Sequence, residues 1–165
     1  MNLAIRIGHG YDVHRLQDGL PMYLCGIRID SPRGFVAHSD GDVAIHALCD
    51  AMLGALALRD IGYHFPDQGD TWKGADSKRL LSLTYDLVRK AGWTLGNADI
   101  TIILQVPKIA PLVPRMQACL AEILGVAADS ISVKATTTER LGFAGREEGC
   151  EVHAVVLLVR AGEIS

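Results

Sequence analysis

The stretch Leu3-Ala-Ile-Arg-Ile-Gly-His-Gly-Tyr-Asp-Val-His14 decides the fold of this chain. Large apolar side chains recur at every second position at its start, a period that predicts a β-strand over residues 3–9. The two glycines near the end of the strand let the backbone turn tightly. On extended backbone, residues two apart project from the same face, so Asp12 and His14 are expected side by side at the strand end.

The partner of this strand is a predicted helix. Apolar residues recur at helical spacing between residues 39 and 58, which predicts an amphipathic helix that Ser39 or Asp40 caps. His46 lies on this helix, and Asp42 precedes it by one turn on the same face. A carboxylate one turn away is suited to orient the second ring nitrogen of a metal-binding histidine. The sequence therefore predicts a metal ligand that is oriented by its own helix.

The rest of the chain mixes strands with helices. Further strands are predicted at residues 22–29, 99–106, 131–135 and 151–160, and further helices at 75–91 and from Pro111 or Pro114 to 124. Residues 60–74 show little periodicity, and loops of this length are usually functional or mobile. The mixture favours one layered domain over residues 1–165. We expect the α+β class, a two-layer α/β arrangement in which a mixed sheet of about four to five strands packs on three helices.

Composition excludes several classes of function. The 165 residues carry a formal net charge of −3, with 49% apolar and 21% charged residues, as in a typical globular domain. No basic stripe is present, which argues against nucleic acid or a membrane surface as a partner. The amino terminus lacks the apolar core of a secretory signal, and no uncharged apolar run reaches the length of a membrane span. The four cysteines form no C-x-x-C pair and are expected to be reduced thiols.

Asp12, His14 and His46 form a candidate metal site. Two histidines and one carboxylate leave a coordination position open, as in catalytic zinc centres. Ferrous iron takes the same ligand types, so the ligand set leaves zinc and iron open. Each part also has an ordinary interpretation, as a solvated strand end for Asp12 and His14 and as a structural histidine for His46. The density of Asp, His and Gly in residues 8–46 makes the metal site an equally good interpretation.

Two other predicted strand ends carry candidate phosphate-binding residues. Three successive threonines begin at Thr136, and their hydroxyl and N–H groups can donate hydrogen bonds to phosphate oxygens. Glu139 follows them, and a carboxylate there is favourable if it holds a magnesium-type ion that bridges phosphate oxygens. A capping box from Thr136 to Glu139 that opens a short helix is an equally good interpretation. Lys108 follows Pro107, where it binds a ligand at the strand end or is a solvated loop lysine.

Six segments together resemble the 2-C-methyl-D-erythritol 2,4-cyclodiphosphate synthase family. They are Arg6-Ile-Gly-His-Gly-Tyr-Asp-Val-His14, Ala37-His-Ser-Asp-Gly-Asp-Val-Ala-Ile-His46, Asp60-Ile-Gly-Tyr-His-Phe-Pro-Asp67, Lys73-Gly-Ala-Asp-Ser77, Thr101-Ile-Ile-Leu-Gln-Val-Pro-Lys108 and Lys134-Ala-Thr-Thr-Thr-Glu-Arg-Leu-Gly-Phe-Ala-Gly-Arg146. They run in the order of the family and cover nearly the whole chain.

This resemblance implies a phosphorus–oxygen lyase of the non-mevalonate isoprenoid pathway. Its substrate is 4-diphosphocytidyl-2-C-methyl-D-erythritol 2-phosphate, whose 2-phosphate attacks the β-phosphorus of the diphosphate. CMP leaves, and an eight-membered cyclic diphosphate forms. The nucleophile belongs to the substrate, which agrees with a chain that shows no evident Ser, Cys or His nucleophile with its partners.

The resemblance also implies roles for particular residues. The ligands of a zinc-type ion are Asp12, His14 and His46, and Glu139 helps to hold magnesium or manganese with the substrate phosphates. His38 and Thr137 match residues assigned to transition-state stabilisation. The expected substrate-binding residues are Asp12, Val13, His14, His38, Ser39, Asp60, Ile61, Gly62, Phe65, Pro66, Asp67, Leu104, Gln105, Val106, Pro107, Lys108, Ile109, Ala110, Ala135, Thr136, Thr137, Thr138, Glu139, Phe143 and Arg146.

The resemblance further implies a homotrimer whose active sites lie between subunits. That arrangement would explain why the metal site and the strand ends with Lys108 and Thr137 form two separate groups in the sequence. A central apolar cavity of the family holds isoprenoid diphosphates, and Phe143 and Arg146 match positions near it. The expected compartment is the bacterial cytoplasm, or the plastid if a transit peptide has been removed.

Two other functions are compatible with the same residues. A metal-dependent phosphodiesterase or nuclease would use the same ligands with water as the nucleophile, but the absent basic stripe argues against a nuclease. A trimeric carrier of isoprenoid diphosphates would bind its ligand without metal. An intact ligand set argues against the carrier, because a carrier needs no open metal position.

Overall fold

The structure, a computed structural model, describes residues 4–66 and 74–162. The strands are β1 Ile5–Asp18, β2 Met22–Leu24, β3 Ile27–Ile29, β4 Arg33–Phe35, β5 Trp93–Ile103, β6 Ile131–Thr136 and β7 Gly149–Arg160. The α-helices are α1 Val43–Ala55, α2 Ile61–His64, α3 Ser77–Lys90, α4 Val113–Leu124 and α5 Gly142–Gly145. Short 3-10 turns lie at Ala110–Leu112 and Ala128–Ser130.

Five strands form one mixed sheet in the order β4-β1-β7-β5-β6. β5 and β6 are parallel, and the other neighbours are antiparallel. The helices α1, α3 and α4 cover one face of this sheet, and the core lies between the two layers. The predicted α+β fold, with a mixed sheet on three long helices, is therefore confirmed. Among the described residues, no helix has the length and apolar character needed to cross a bilayer.

Several predicted boundaries change in the structure. β1 extends to Asp18, so Asp12 and His14 lie within the strand and not at its end. The single strand predicted over 22–29 is a hairpin, because Cys25 and the following residue take positive φ values of 52° and 80° and reverse the chain. The predicted caps of α1 are wrong, since Asp42 is the N-cap and accepts the N–H of Ile45. The short elements β4, α2 and α5 were not predicted, since each has only three or four residues.

The backbone of β1 passes very close to the backbone of α1. A Cβ added at Gly8 would lie 1.9 Å from the carbonyl oxygen of Ala51, and one at Gly10 would lie 1.8 Å from that of Ala47. No side chain fits at either position, because these separations are far below van der Waals contact. The glycines therefore serve close packing of the helix, and not the tight turn that the sequence predicted.

We expect Gly10→Ala to lower the free energy of unfolding by at least about 3 kcal/mol, because α1 must move away from the sheet to admit a methyl group. Chemical denaturation followed by circular dichroism measures this loss. The matched control is Gly54→Ala on the same helix, where the added Cβ meets only the His9 carbonyl oxygen at 3.9 Å. Higher helix propensity should make that variant neutral or more stable by up to about 1 kcal/mol. Equal stability of Gly10→Ala and the wild type would contradict the packing argument.

Candidate metal centre

Three side chains from β1 and α1 meet at one point on the helix side of the sheet. The Oδ2 atom of Asp12 lies 2.9 Å from His14 Nε2 and 3.1 Å from His46 Nδ1. The two ring nitrogens are 3.2 Å apart. The alternation of β1 places Asp12 and His14 on the same face as the glycines that contact α1, and the close approach of that helix brings His46 to them.

The triangle of ligand atoms fits a zinc-type ion. Zinc–ligand bonds of about 2.0–2.2 Å in a tetrahedral arrangement place neighbouring ligand atoms roughly 3.3–3.5 Å apart. The observed edges of 2.9–3.2 Å need only a slight expansion to reach that range. Among the described residues, 4–66 and 74–162, these three side chains form the cluster of His, Cys, Asp or Glu whose ligand atoms lie close enough together to bind one metal ion. The geometry thus fits a divalent metal with three protein ligands, and the identity of the metal stays open between zinc and ferrous iron.

The second nitrogen of each ring has its own partner. His14 Nδ1 lies 3.3 Å from the carbonyl oxygen of Val36, which can only accept a hydrogen bond, so the proton belongs on Nδ1 and the lone pair on Nε2 is left for a metal. His46 Nε2 lies 3.1 Å from the hydroxyl of Ser77 and 3.4 Å from that of Ser39. Outer partners of this kind fix ring orientation in metal sites.

The sequence prediction that Asp42 orients His46 is wrong. The buried carboxylate of Asp42 accepts backbone N–H groups of Ile45, Cys25 and Gly26, at 2.7–3.0 Å. It therefore caps α1 and holds the β2–β3 turn. Sequence reasoning missed Ser77 as the partner of His46, because it lies 31 residues away in the chain and the helix it opens only reaches the ring in the tertiary structure.

A cavity of about 320 Å³ opens beside the metal ligands. Among the predicted substrate-binding residues, its lining includes Asp12, His14, His38, Ser39, Ile61, Gly62 and Phe65. Asp60 caps α2 through the N–H of Tyr63, and so fixes the short helix that supplies one wall. Val13 points to the opposite face of the sheet, Pro66 is not part of the lining, and Asp67 lies outside the described residues.

The second group of predicted residues lies at the ends of β5 and β6. These parallel strands pair Ile102 with Ala135, and the N–H of Leu104 donates to the carbonyl oxygen of Thr136 at 3.0 Å. The group holds the predicted residues 104–110 and 135–139, and none of them lines the cavity beside the metal ligands. Across the sheet, Asp12 is aligned with Ala135 through three strand spacings, which is about 14 Å. One chain therefore brings each group together but keeps the two groups apart.

The turn after β6 has an unusual backbone. Glu139 and Arg140 both take positive φ values, 52° and 67°, which residues with a side chain rarely adopt. The hydroxyl of Thr137 lies 3.3 Å from the N–H of Glu139 and 3.4 Å from its carboxylate. No helix begins at Thr136, since α5 starts only at Gly142, so the capping-box interpretation is wrong. Strained residues of this kind concentrate at ligand-binding sites.

The chain matches the YgbB family over residues 5–159, which is nearly its whole length. It belongs to the YgbB family. A relative from Ectopseudomonas mendocina (strain ymp), named 2-C-methyl-D-erythritol 2,4-cyclodiphosphate synthase, is 60% identical over 157 residues, which cover 95% of this chain and 100% of the relative.

Solved structures of similar proteins share the fold. The bifunctional IspDF from Campylobacter jejuni matches with a TM-score of 0.91 and 45% identity, over 94% of this chain and 42% of that chain. IspF from Plasmodium falciparum, in a CDP complex, matches with a TM-score of 0.86 and 33% identity. That match covers 98% of this YgbB-family chain and 100% of the other. The predicted family resemblance is therefore confirmed.

The charge of Asp12 is stabilised by its two histidine neighbours. Burial disfavours its ionised form, but its histidine neighbours, above all the hydrogen bond with His14, outweigh burial and lower the pKa of Asp12 to about 2. Burial also disfavours the protonated form of His14, yet its hydrogen bond with Asp12 raises the pKa of His14 above its usual value. The carboxylate is thus ionised throughout the physiological range, as a metal ligand must be.

Because the folded-state pKa of Asp12 is lowered, its ionised form stabilises the metal-free protein above pH 4, and this contribution disappears as the pH falls toward 2. We expect Asp12→Asn to reduce the free energy of unfolding by about 2 kcal/mol at pH 5 and by much less at pH 2.5. Urea denaturation of both proteins in the presence of a chelator measures the two differences. A difference that is the same at both pH values would show that the Asp12 charge does not stabilise the fold.

Proposed function

We propose that this chain is a 2-C-methyl-D-erythritol 2,4-cyclodiphosphate synthase, a phosphorus–oxygen lyase of isoprenoid biosynthesis. The observation that carries this proposal is the triangle of Asp12, His14 and His46 beside a cavity. It occurs in a chain that is 60% identical to a relative of that name over the relative's full length. Fold and family agree with the proposal, because structures named for the same activity superpose on nearly all of this chain.

The reaction closes a ring within one substrate molecule. An oxygen of the 2-phosphate forms a bond to the β-phosphorus of the diphosphate. The bond from the β-phosphorus to the oxygen that it shares with the α-phosphorus breaks, and CMP leaves with that oxygen. The protein contributes no covalent nucleophile. It has to hold two anionic groups in line and offset their mutual repulsion, and positioning with charge stabilisation supplies most of the acceleration in such reactions.

The cavity beside β1 and α1 is the proposed binding site of the erythritol phosphates. Asp12, His14 and His46 would hold zinc, which when bound supplies Lewis-acid polarisation of a phosphate oxygen. His38 and Ser39 line the same cavity and are placed to donate hydrogen bonds to a phosphate group there. His38 is the proposed stabiliser of the transition state in this half of the site.

The ends of β5 and β6 form the proposed binding site of the nucleotide. Residues 104–110 and 135–138 would surround the cytidine and its phosphates, mostly through backbone groups, and the IspF–CDP complex supports a nucleotide ligand. Thr137 would act on the transition state. Glu139 would hold magnesium or manganese together with the substrate phosphates, and the strained turn that presents its carboxylate supports a ligand-binding role.

A trimer with shared active sites would unite the two halves. The outward face of the sheet bears exposed apolar side chains: Ile5, Ile7, Val13 and Val155. Ile7 is 68% exposed, although it lies within β1 and pairs with β7. Apolar sheet faces of this kind mark protein interfaces. We propose that this face packs around a threefold axis and brings the nucleotide-binding strand ends of one subunit to the metal ligands of its neighbour.

We expect Ile7→Glu to convert the trimer into monomers and to abolish turnover, because it places a charge in the proposed interface. Sedimentation velocity measures the mass of the particle. Ala118→Glu on α4 is the control, since this exposed residue lies on the helix side of the sheet, and it should leave the particle mass unchanged. A wild-type protein that sediments as a monomer at micromolar concentration would refute the shared-site proposal.

The proposed reaction is tested by incubating the protein with 4-diphosphocytidyl-2-C-methyl-D-erythritol 2-phosphate, zinc and magnesium, and following the products by ³¹P NMR. CMP and a cyclic diphosphate are expected. A linear phosphate product would indicate a phosphodiesterase instead, and binding of isoprenoid diphosphate without any turnover would indicate a carrier.

We expect His46→Ala to lose its bound zinc and to lower the turnover rate more than 100-fold. Replacing a residue that only orients a metal ligand already lowers metal affinity or activity about 10–100-fold, and loss of the ligand itself should cost more. Elemental analysis gives the zinc content. His64→Ala is the control for zinc content, since its ring contacts the Leu58 carbonyl oxygen and not the metal site, and it should retain one zinc per chain. Full zinc content in His46→Ala would exclude His46 as a ligand.

Two further assignments belong to the same proposal. We propose that the trimer encloses a central cavity that accepts an isoprenoid diphosphate, with Phe143 and Arg146 near it. Arg146 is exposed and forms an ion pair with Glu148, at 2.8 Å.

The proposed compartment is the cytoplasm, and the bacterial relative and the four free cysteines support it.

A further inference from the structure

A chain of polar contacts leads from the metal ligand His46 to the carboxylate of Asp40. His46 Nε2 lies 3.1 Å from the hydroxyl of Ser77, which is only 1% exposed. That hydroxyl is in close contact with Asp40 Oδ1, and the backbone N–H of Ser77 donates to Asp40 Oδ2 at 2.9 Å. The chain begins on α1, passes through the first residue of α3 and ends in the loop before α1.

The direction of these hydrogen bonds follows from the donor inventory. An ionised carboxylate only accepts, and Asp40 already accepts the N–H groups of Asp42 and Ser77. The hydroxyl proton of Ser77 is therefore donated to Asp40. Its remaining lone pairs face His46 Nε2, so the favourable partner there is an N–H group. This places the proton of the neutral imidazole on Nε2 and the lone pair on Nδ1.

The alternative arrangement of the proton would oppose metal binding. With the proton on Nδ1, the ring would donate to Asp12 Oδ2, which is 3.1 Å away. The Nδ1 atom of His46 and the Oδ2 atom of Asp12 would then be hydrogen-bonded to each other, and the Nδ1 lone pair would not be free to bind a metal ion. Ser39 also approaches His46 Nε2, but at 3.4 Å, and its hydroxyl accepts the N–H of Gly41 with no carboxylate to set its direction. Ser77 with Asp40 is therefore the pair that decides between the two arrangements.

We propose that Ser77 and Asp40 are positioning residues that hold neutral His46 with its proton on Nε2, so that Nδ1 faces the metal position. This inference rests on the proposed metal-dependent function. Asp40 also ties the loop before α1 to the residues just before α3, since its N–H donates to the Ala75 carbonyl oxygen at 3.2 Å. A test must therefore separate orientation of the ring from simple support of the fold.

The first measurement uses the wild-type protein without metal. Long-range ¹H–¹⁵N correlation spectra of the histidine rings report which nitrogen carries the proton. His46 is expected with the proton on Nε2, and a ring protonated on Nδ1 would overturn the proposal without any variant being made. Ser77→Ala is then expected to shift the population toward protonation on Nδ1.

The second measurement is zinc affinity, determined by competition with a chromogenic chelator. Ser77→Ala should bind zinc about 10–100-fold more weakly, and Ser77→Thr should restore affinity because it keeps the hydroxyl. Asp40→Asn should also weaken binding. The N–H and the hydroxyl of Ser77 each need an acceptor oxygen, and the amide of asparagine offers only one oxygen where the carboxylate offers two. Thr84→Val is the matched control, since it removes another buried hydroxyl from α3, and it should leave zinc affinity unchanged.

The possible results separate this inference from the proposed function. A wild-type protein that binds no zinc refutes the metal-dependent function itself. Zinc binding that is equal in the wild type and in Ser77→Ala refutes only the positioning role. An equal loss in Ser77→Ala and Thr84→Val also refutes it, because the effect would then come from packing of α3 and not from orientation of His46.

Discussion

The backbone of β1 runs against that of α1 at a separation that only glycine permits. Gly8 and Gly10 face the carbonyl oxygens of Ala51 and Ala47, and any side chain at these positions would push the helix away from the sheet. The ligand atoms of Asp12, His14 and His46 lie about 3 Å apart because of this contact. A displacement of α1 by the width of a methyl group would separate the histidines by more than a single ion can bridge.

A second layer of polar contacts surrounds the ligands. The Val36 carbonyl oxygen orients His14, and the Ser77 hydroxyl contacts His46. Asp42 caps α1 and fixes the β2–β3 turn, while Asp50, one turn beyond His46, accepts the N–H of Ile61 at 2.8 Å and so anchors α2. One helix therefore carries a cap, a candidate metal ligand and an anchor for the cavity wall at successive turns. Rigid elements of this kind hold a site within the small tolerances that catalysis needs.

The order of the strands explains why one chain keeps the two groups of predicted site residues apart. β7 and β5 lie between β1 and β6, and this keeps the metal ligands about three strand spacings from the threonine turn. The outward face of the sheet is apolar at Ile5, Ile7 and Val155, while Tyr11 and His153 form a polar patch further along the strands. The proposed subunit interface on that face would account for both features, since it would cover the apolar strip and complete each site with residues of a neighbour.

The sequence by itself determined the fold class, the main helices and strands, the family and the three residues of the candidate metal site. Periodicity and local spacing carry that information, because residues two apart on a strand or four apart on a helix share a face wherever the element packs. Only the tertiary structure decided that β1 continues past Asp12 and His14, that Glu139 and Arg140 form a strained turn with no helix cap, and that Ser77 and not the Asp42 side chain contacts the His46 ring. These features depend on contacts between residues distant in the chain, and no local pattern specifies such contacts, because the energy that selects them arises only when the layers pack.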